Sequence, residues 1–524
     1  MGIAKNLGMG VIFMHKKNLM LQGTGSSVGK SLLTAAFCRI LYQDGHRVAP
    51  FKSQNMALNS FITKDGMEMG RAQVVQAEAA CLEPDVLMNP ILLKPTSDKK
   101  CQVILQGKVH GNMSAVEYHT FKPKLLEMIR KDYENLADNK DIVVIEGAGS
   151  PAEINLREND LVNMCMAEIA DAPVIIVGDI DRGGVFASIY GTIMLLAKEE
   201  RKRVKGVIIN KFRGDIEILK SGLKMLEELI YVPVLGVIPY MKLQIEDEDS
   251  LAERFRTQKY KEKPLEVAVL YLPHVSNFTD FNVFETQEDV HLRYVMGKDA
   301  IGDPDILIIP GSKNTIEDLL VVKQNGWADE IQKLHGLGKL IIGICGGYQM
   351  LGRKIYDPNK TESDVVEIDG LGLLGVDTVF ELEKTTAQVD AIISNGGSVY
   401  LKGTDGLIVK GYEIHMGNTT VSQDFANFSM ITKSLNETVS KNDGCVNESG
   451  NVIGTYIHGI FDNIEFTRTI LNNVRKIKGL DSIESEIKSF SEFKEKEYNR
   501  LADIVRENVD MDKIYAIINN KEIC

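Results

Sequence analysis

Short apolar runs alternate with longer mixed segments through the first half of the chain. Runs of this kind, rich in Val and Ile, predict buried strands. The segments Lys30–Gln43 and 216–229, which lie between such runs, carry apolar residues at helical spacing. Strands that alternate with helices indicate an α/β fold with a parallel sheet between layers of helices. The predicted strands of this half lie at residues 18–22, 47–51, 141–146, 173–179 and 205–210.

The pattern is interrupted near the middle of the chain and then resumes. Residues 246–264 are more than half charged and lack an apolar period, which is typical of a linker or an exposed helix. From about residue 465 onward the chain is charged and helical in spacing. Predicted strands of the second half lie at residues 265–272, 305–310, 339–344, 407–413 and 451–457.

These patterns predict two α/β domains and a helical tail. We expect the tail to form a solvated cap over the second domain. The predicted units are an N-terminal extension (1–17), a first domain (18–245), a linker (246–264), a second domain (265–468) and a C-terminal tail (469–524).

The composition excludes several classes of protein. The chain has 524 residues, of which 44% are apolar, and a formal net charge of -13. This apolar content excludes a mainly disordered chain, and the acidic balance argues against a general nucleic-acid binder. No apolar run reaches the roughly 18 residues of a membrane span. The seven cysteines are scattered without a CxxC pair, so we expect neither a disulfide framework nor a structural zinc site, and a cytoplasmic setting.

A glycine-rich turn joins the first predicted strand to the first predicted helix. Residues 23–31 read Gly-Thr-Gly-Ser-Ser-Val-Gly-Lys-Ser, and such a turn can surround phosphates with backbone N–H groups. Lys30 is expected to reach the β- and γ-phosphates, and the Ser31 hydroxyl to ligate Mg²⁺. Thr24 stands where the standard loop has glycine, which here is Gly23. The predicted ATP-binding residues of the loop are Thr24, Gly25, Ser27, Val28, Gly29, Lys30 and Ser31.

A carboxylate ends another predicted strand of the first domain. The apolar run that starts at Ile142 finishes at Glu146 and is followed by Gly-Ala-Gly. Because parallel strands end at one edge of a sheet, we expect Glu146 to lie beside the loop and to hold Mg²⁺ with Ser31. The alternative is an ordinary helix cap or turn residue.

A cysteine at the end of a strand carries the second candidate chemistry. Residues 343–347 read Gly-Ile-Cys-Gly-Gly, which is a nucleophile elbow with Cys345 in place of serine. The N–H of Gly346 and the turn at Gly311 are the predicted oxyanion donors. The predicted base is His458, which follows a β-like run, and His415 is the competing histidine. For His415 a structural or pocket role is the preferred interpretation.

A P-loop domain followed by a cysteine-elbow domain resembles the glutamine-dependent amidotransferases of corrin biosynthesis. The first domain resembles the dethiobiotin-synthetase-like branch of P-loop proteins, and the second resembles class I glutamine amidotransferases. This resemblance implies that Asn210 reads the adenine edge of ATP. The matching stretches are residues 51–60, 68–73, 89–95, 146–156 and 179–188.

One position departs from the class I pattern. Many class I glutamine amidotransferases carry glutamate two residues after the catalytic histidine, where this chain has Ile460. The resemblance to the corrin branch therefore implies a Cys345–His458 pair without a default third member. Glu413 and Asp462 are the candidates for orienting the histidine.

The resemblance also implies a reaction. ATP with Mg²⁺ would phosphorylate a corrin side-chain carboxylate, and ammonia released from glutamine would displace the phosphate. The matching stretches are closest to the enzyme that amidates the b, d, e and g carboxylates of (adenosyl)cobyrinic acid a,c-diamide. The residues predicted to face the corrinoid, with loop structure as their alternative, are Lys52, Ser53, Gln54, Asn55 and Arg71.

Other functions stay open at this point. The a,c-diamide synthase, which acts earlier on the same ring, shares both domains. A partitioning-type P-loop ATPase switch is a remote alternative, since it has no use for a glutaminase domain, and a degenerate binding module would not need Lys30, Ser31, Cys345 and His458. Glutamine and a corrinoid are the implied partners, no nucleic acid or membrane is expected, and a homo-oligomer remains an open alternative.

Overall fold

The computed structural model describes residues 16–97, 100–245, 262–394 and 397–521. Most of the predicted N-terminal extension (1–17) and most of the predicted linker (246–264) lie outside the described residues. The described chain forms two α/β domains, as the alternation of apolar runs predicts.

The first domain is built on a parallel sheet. Its strand order is β12-β11-β10-β1-β9-β2, and each neighbouring pair runs parallel. The strands of this domain are β1 (Lys17–Gly23), β2 (Val48–Phe51), β3 (Gln54–Met56), β4 (Ser60–Ile62), β5 (Glu68–Gly70), β6 (Ile91–Ser97), β7 (Lys100–Leu105), β8 (Lys108–Ser114), β9 (Ile142–Glu146), β10 (Val174–Asp179), β11 (Val204–Phe212) and β12 (Val234–Pro239).

Helices cover both faces of this sheet. The central strands are buried on both sides, which explains their nearly continuous runs of Val, Ile and Leu. The short strands β3 to β8 form two small sheets beside the main one, in the orders β3-β6-β7-β8 and β4-β5. The helices are α1 (Lys30–Gln43), α2 (Arg71–Ala79), α3 (Ala115–Phe121), α4 (Leu126–Ala137), α5 (Met164–Ile169), α6 (Val185–Leu195), α7 (Lys198–Arg201) and α8 (Ile216–Ile230).

The second domain contains a mostly parallel sheet and a mostly antiparallel sheet. The first has the order β14-β13-β15-β16-β24-β23, in which only the pair β23–β24 is antiparallel. Its strands are β13 (Leu265–Leu270), β14 (Val290–Val295), β15 (Ile306–Ile309), β16 (Leu340–Ile344), β23 (Cys445–Val446) and β24 (Val452–Thr455).

The antiparallel sheet follows β16 in the chain. It has the order β18-β17-β19-β21-β22, and β20 pairs with β19. The strand predicted at 407–413 is longer than expected, because β20 continues to Val421 and includes His415. Its strands are β17 (Lys354–Tyr356), β18 (Glu367–Asp369), β19 (Val376–Ile393), β20 (Ile408–Val421), β21 (Ser429–Ser434) and β22 (Glu437–Asp443).

The helices of the second domain pack on its parallel sheet. One of them, α13, crosses the boundary predicted at residue 468. The helices are α9 (Asn282–Glu285), α10 (Thr315–Gln324), α11 (Trp327–Gly336), α12 (Gly346–Leu351) and α13 (Ile464–Ile477).

The expectation that the tail forms a solvated cap over the second domain is wrong for its last two helices. Helices α14 (Phe490–Asn508) and α15 (Met511–Ile518) pack against one face of the first domain's sheet. Leu501 and Val505 are fully buried there, and Asp510 N donates to Leu235 O at 2.8 Å. The apolar stripe of α14 needs a partner surface, and helix α1 and strand β12 supply it.

Within the described ranges, every helix is too short or too polar to cross a membrane.

Candidate active sites

The P-loop follows β1 and wraps the start of α1. Thr24 N donates to Val177 O at 3.0 Å, which ties the loop to the neighbouring strand β10. Gly29 precedes α1 with φ of 97°, a left-handed conformation that suits glycine. Ser27 also has a positive φ, of 57°. The loop is therefore tightly turned at the amino end of α1, as the glycine spacing predicts.

Lys30 is held over this loop. Its side chain is buried, and Nζ donates to Gly25 O at 2.8 Å and to Gly149 O at 3.1 Å. A positive charge at the start of a helix adds to the partial charge of the helix N-terminus, so the loop favours an anion.

Glu146 sits at the centre of a buried polar cluster beside the loop. It accepts hydrogen bonds from Ser31 Oγ at 2.8 Å and from Lys52 Nζ at 2.9 Å, both at Oε1. Gln76 Nε2 donates to Oε2 at 2.5 Å. A hydroxyl and a carboxylate are oxygen ligands of the kind that Mg²⁺ prefers. The donor set of Ser31 and Glu146 therefore fits this ion.

Asn210 lies near the carboxyl end of β11 and faces the same loop. Its Nδ2 donates to Val28 O at 2.9 Å. Its Oδ1 is buried and has no hydrogen-bond partner among the described residues. A buried acceptor without a donor costs free energy, so this atom fits a ligand with an N–H group. Lys211, which the sequence analysis did not single out, donates to Ser27 O at 2.7 Å and pairs with Asp179 at 2.9 Å.

The residues predicted to face the corrinoid are mostly engaged inside the fold. Ser53 Oγ donates to Leu161 O at 2.7 Å, and Gln54 Oε1 accepts from Tyr118 OH at 2.6 Å. Asn55 Nδ2 donates to Gln73 Oε1 at 3.1 Å. The Arg71 guanidinium lies 5.1 Å from the centre of the Phe61 ring. Lys52, which pairs with Glu146, is thus the member of this set that lies at the P-loop.

Cys345 occupies the turn between β16 and α12. Its backbone has φ of 50° and ψ of −108°, an uncommon conformation for a residue other than glycine and typical of a nucleophile elbow. Its Sγ contacts Ile414 O at 3.6 Å. The first backbone N–H groups of a helix have no partner within the helix, so the start of α12 favours a thiolate.

Neighbouring strands bring Cys345 and His458 together. Strands β16 and β24 are parallel partners, with Ile344 opposite Thr455. Cys345 follows β16 directly, and its N–H donates to Thr455 O at 2.8 Å. His458 comes three residues after β24, at the same edge of the sheet. The fold therefore brings Cys345 and His458 to the same edge of the sheet, as the sequence pattern predicts.

A third residue, Asp280, completes this group. It lies in the short 3₁₀ helix Phe278–Phe281, which follows β13, and it is buried. Its Oδ2 is 2.7 Å from His458 Nδ1, and its Oδ1 accepts from Gly459 N at 3.0 Å. The candidates named from sequence, Glu413 and Asp462, do not take this position.

One signal for Asp280 in the sequence is its place between two aromatic residues, Phe278 and Phe281, which favour burial of this segment. A carboxylate in such a segment is rarely buried without a function or a partner. Its pairing with His458, however, spans 178 residues and is visible only in the folded chain.

Asp280 changes the acid–base chemistry of His458. Burial alone lowers the pKa of His458, but the charge of Asp280, its hydrogen bond, and the Cys345 thiol outweigh burial and raise the pKa to about 10. Since Nδ1 is bound to Asp280, Nε2 is the nitrogen left for the thiol. This arrangement stabilises a thiolate–imidazolium pair.

The predicted oxyanion residues flank the same point. A Cβ built on Gly346 would lie 2.9 Å from Ser312 N, so the elbow and the 310–313 turn touch. A Cβ built on Gly311 would lie 3.1 Å from His458 Cε1. A side chain at Gly346 would clash with the Ser312 backbone, a side chain at Gly311 would require its neighbours to shift slightly, and both backbones border the sulfur and the imidazole.

His415 lines the cavity that contains Cys345, but both of its ring nitrogens lie close to other groups. Its Nδ1 lies 2.8 Å from Gly417 O and its Nε2 lies 3.3 Å from Glu413 Oε1. Its ring stacks on Tyr456 with centroids 3.8 Å apart. Glu413 is also paired with Lys441 at 3.0 Å. These contacts match the pocket role preferred for His415.

Comparison with known families matches both domains. Residues 19–251 match the model of the CobQ/CobB/MinD/ParA nucleotide binding domain, and residues 266–466 match the CobB/CobQ-like glutamine amidotransferase domain. A cobyric acid synthase of Alkaliphilus metalliredigens is 58% identical over 502 residues, which is 96% of this chain and 100% of the relative.

The chain belongs to the cobyric acid synthase family. Further relatives with this name support the assignment. One from Thermoanaerobacter sp. is 59% identical over 95% of this chain and 98% of the relative. One from Clostridium tetani is 55% identical over 95% of this chain and 98% of the relative. The chain is thus an enzyme, a ligase with a glutamine amidotransferase domain and a nucleotide-binding domain.

In this member of the cobyric acid synthase family, the two sites are joined by direct contacts between the domains. Asn277 Nδ2 donates to Ser60 O at 3.0 Å, and Phe278 N donates to Asn59 Oδ1 at 3.0 Å. Lys384 of the second domain pairs with Glu68 of the first at 2.5 Å.

A row of buried polar residues continues from these contacts to the P-loop. This polar seam consists of Asn59, Ser60, Gln73 and Gln76. Ser60 bonds Lys94 at 3.0 Å, and Asn59 O accepts from Arg71 N at 3.3 Å. Helix α2, which begins at Arg71, then carries Gln73 and Gln76 on one face, and Gln76 reaches Glu146. The seam therefore runs from the Cys345 cavity to the predicted metal ligands.

Asp280→Asn is expected to lower glutaminase activity by about 10²-fold, at the lower end of what a positioned acid–base pair contributes. The amide cannot stabilise the imidazolium, so the pKa of His458 falls from about 10 and the alkaline limb of kcat/KM moves to lower pH. The measurement is glutamate release against pH. The matched control is Glu285→Gln, an acidic residue of the adjacent helix α9. An unmoved alkaline limb in Asp280→Asn would contradict the assignment.

Proposed function

We propose that this chain is a glutamine-hydrolysing cobyric acid synthase that uses ATP to amidate the b, d, e and g carboxylates of (adenosyl)cobyrinic acid a,c-diamide. The observation that carries the proposal is the pair of sites, one at the P-loop and one at Cys345, joined by a buried polar seam. The name of the full-length relatives supports the choice of corrinoid.

The second domain would release ammonia from glutamine. The Cys345 thiolate attacks the side-chain amide carbon, and the N–H groups near Gly346 and Gly311 stabilise the oxyanion. His458 protonates the leaving ammonia and then activates the water that hydrolyses the thioester to glutamate. Asp280 keeps the imidazole oriented throughout, through its 2.7 Å contact with Nδ1.

The first domain would activate the corrinoid carboxylate. A carboxylate oxygen attacks the γ-phosphorus of ATP, ADP leaves, and ammonia then displaces phosphate from the acyl phosphate to give the amide. Lys30 and the loop N–H groups stabilise the charge of the transferred phosphoryl group. Ser31 and Glu146 would hold Mg²⁺, which offsets phosphate charge when it is bound. The free acceptor at Asn210 Oδ1 supports binding of the adenine amino group.

The polar seam supports passage of ammonia between the two sites. Ammonia donates and accepts hydrogen bonds, and the side chains of Ser60, Asn59, Gln73 and Gln76 offer both. Asn59 Nδ2, Gln73 Nε2 and Gln76 Oε1 are buried without a hydrogen-bond partner among the described residues. A small polar molecule moving along the seam would meet these groups.

The test is mass spectrometry of the corrinoid after incubation with ATP, Mg²⁺ and glutamine labelled with ¹⁵N in its side-chain amide. With (adenosyl)cobyrinic acid a,c-diamide we expect four labelled amides in the final product. The rival a,c-diamide synthase would leave this substrate unchanged and add two amides to cobyrinic acid. Either that outcome or the absence of any corrinoid amidation would refute the proposal.

A further inference from the structure

The cavity beside Cys345 contains an unusual set of charged side chains. Lys94, Lys313, Lys384 and Glu362 all line it, together with Gln349 and Asn277. The thiol chemistry itself needs only the amide of the substrate beside Cys345, so the role of these charges lies elsewhere in the cavity.

Two of the lysines are already compensated. Lys94 Nζ lies 2.9 Å from Glu68 Oε1, and Lys384 Nζ lies 2.5 Å from Glu68 Oε2. Glu68 is buried, and the charges of Lys384 and Lys94 hold its pKa well below its usual range even though burial alone would raise it. Glu68, Lys94 and Lys384 therefore form a set of ion pairs that joins the two domains.

Lys313 and Glu362 are the charges that remain. Within the described part of the chain, the Lys313 ammonium forms no ion pair within 4.0 Å, and it is partly buried. Burial lowers the pKa of Lys313 and raises that of Glu362 to about 7, although the charge of each side chain opposes this shift in the other. Glu362 Oε2 accepts a hydrogen bond from Thr315 N at 2.9 Å.

Charges withdrawn from water in this way are costly unless a ligand supplies the opposite charges. Lys313 and Glu362 act on each other through space without a direct ion pair, and an anion beside Lys313 with a cation beside Glu362 would complete their compensation in the cavity that holds the nucleophile. An α-amino acid carries a carboxylate and an ammonium on the same carbon. The cavity thus has the charge pattern of a site for a zwitterion whose side chain extends to Cys345.

We propose that Lys313 binds the α-carboxylate of glutamine and that Glu362 binds its α-ammonium, so that these two residues determine the specificity of the glutaminase site. The inference deepens the proposed function and rests on it. Lys313 ends the 310–313 turn that borders the sulfur, so binding of the carboxylate also fixes the amide near the oxyanion donors.

The test uses Lys313→Met and Glu362→Gln with three amides. These are glutamine, glutaramate (which lacks the α-ammonium) and 4-aminobutanamide (which lacks the α-carboxylate). Loss of a hydrogen bond to a charged group should raise the KM for glutamine about 10- to 150-fold in each variant. Lys313→Met should not affect kcat/KM for 4-aminobutanamide, and Glu362→Gln should not affect it for glutaramate.

Controls separate this inference from the proposed function. Lys333→Met, on the exposed side of α11, should match the unmodified chain. Alkylation of Cys345 by neutral iodoacetamide should reach completion in all variants, which shows that the elbow thiol is present and accessible. Equal losses with all three amides, or an unchanged KM for glutamine, would overturn the zwitterion site alone. An unmodified chain that releases no glutamate would overturn the proposed function as well.

Discussion

Cys345→Ala should abolish amidation with glutamine and leave amidation with free ammonia intact. Without the sulfur no thioester can form, and loss of a covalent nucleophile commonly costs at least about 10³-fold in rate. The synthetase half keeps its site, because Glu146, Ser31 and Lys30 lie in the other domain. Glutamate release and corrinoid amidation, measured with each nitrogen source in turn, check the prediction.

A matched variant for this experiment is Cys445→Ala. Cys445 is a buried thiol of the same domain, in β23, but it does not line the cavity that contains Cys345. It should keep glutamine-dependent activity. Undiminished glutamate release by Cys345→Ala would rule out the cysteine as nucleophile.

Lys30→Ala should remove amidation with both nitrogen sources. The Lys30 ammonium is a positive charge held over the P-loop, and removing a group that stabilises transition-state charge typically costs about 10²–10³-fold. Lys30→Ala should still release glutamate from glutamine, because the residues of the glutaminase site lie in the second domain. The measurement is ammonia-dependent formation of the corrinoid amide together with release of ADP.

Lys205→Ala is the control for Lys30→Ala. Lys205 is an exposed lysine of the same domain, at the start of β11 and away from the loop. It should behave like the unmodified chain. Retained ammonia-dependent amidation in Lys30→Ala would exclude Lys30 from the ATP reaction.

The sequence predicted those parts of the sites that depend on short segments. The loop at 23–31 and the elbow at 343–347 are continuous motifs, and their strand–turn–helix context follows from local apolar spacing. The pairing of Cys345 with His458 was predictable because both follow buried runs of one parallel sheet.

Asp280 and the tail were not predictable in the same way. Asp280 acts through a contact made across 178 residues, and its own segment carries no catalytic motif. The apolar stripe of α14 indicates that the helix must pack on something, but amphipathic spacing does not name the partner surface. In the fold that surface belongs to the first domain.

The residues predicted to face the corrinoid show a further limit of sequence analysis. Lys52 was predicted to face the corrinoid, and in the fold its ammonium pairs with an internal carboxylate, Glu146. Residue type indicates the charge of a partner but not whether that partner is internal or a substrate. Only the arrangement of β2, β9 and α1 decides between the two.

The packing of α14 and α15 has a consequence for the order in which the protein is made. Residues 490–518 leave the ribosome after the whole second domain, yet Leu501, Val505 and Ile514 complete one apolar face of the first. During synthesis the glutamine amidotransferase domain has all its strands before the nucleotide-binding domain can finish its core. A chain interrupted before residue 490 would therefore lack part of the core of the nucleotide-binding domain while the strands of the second domain are complete.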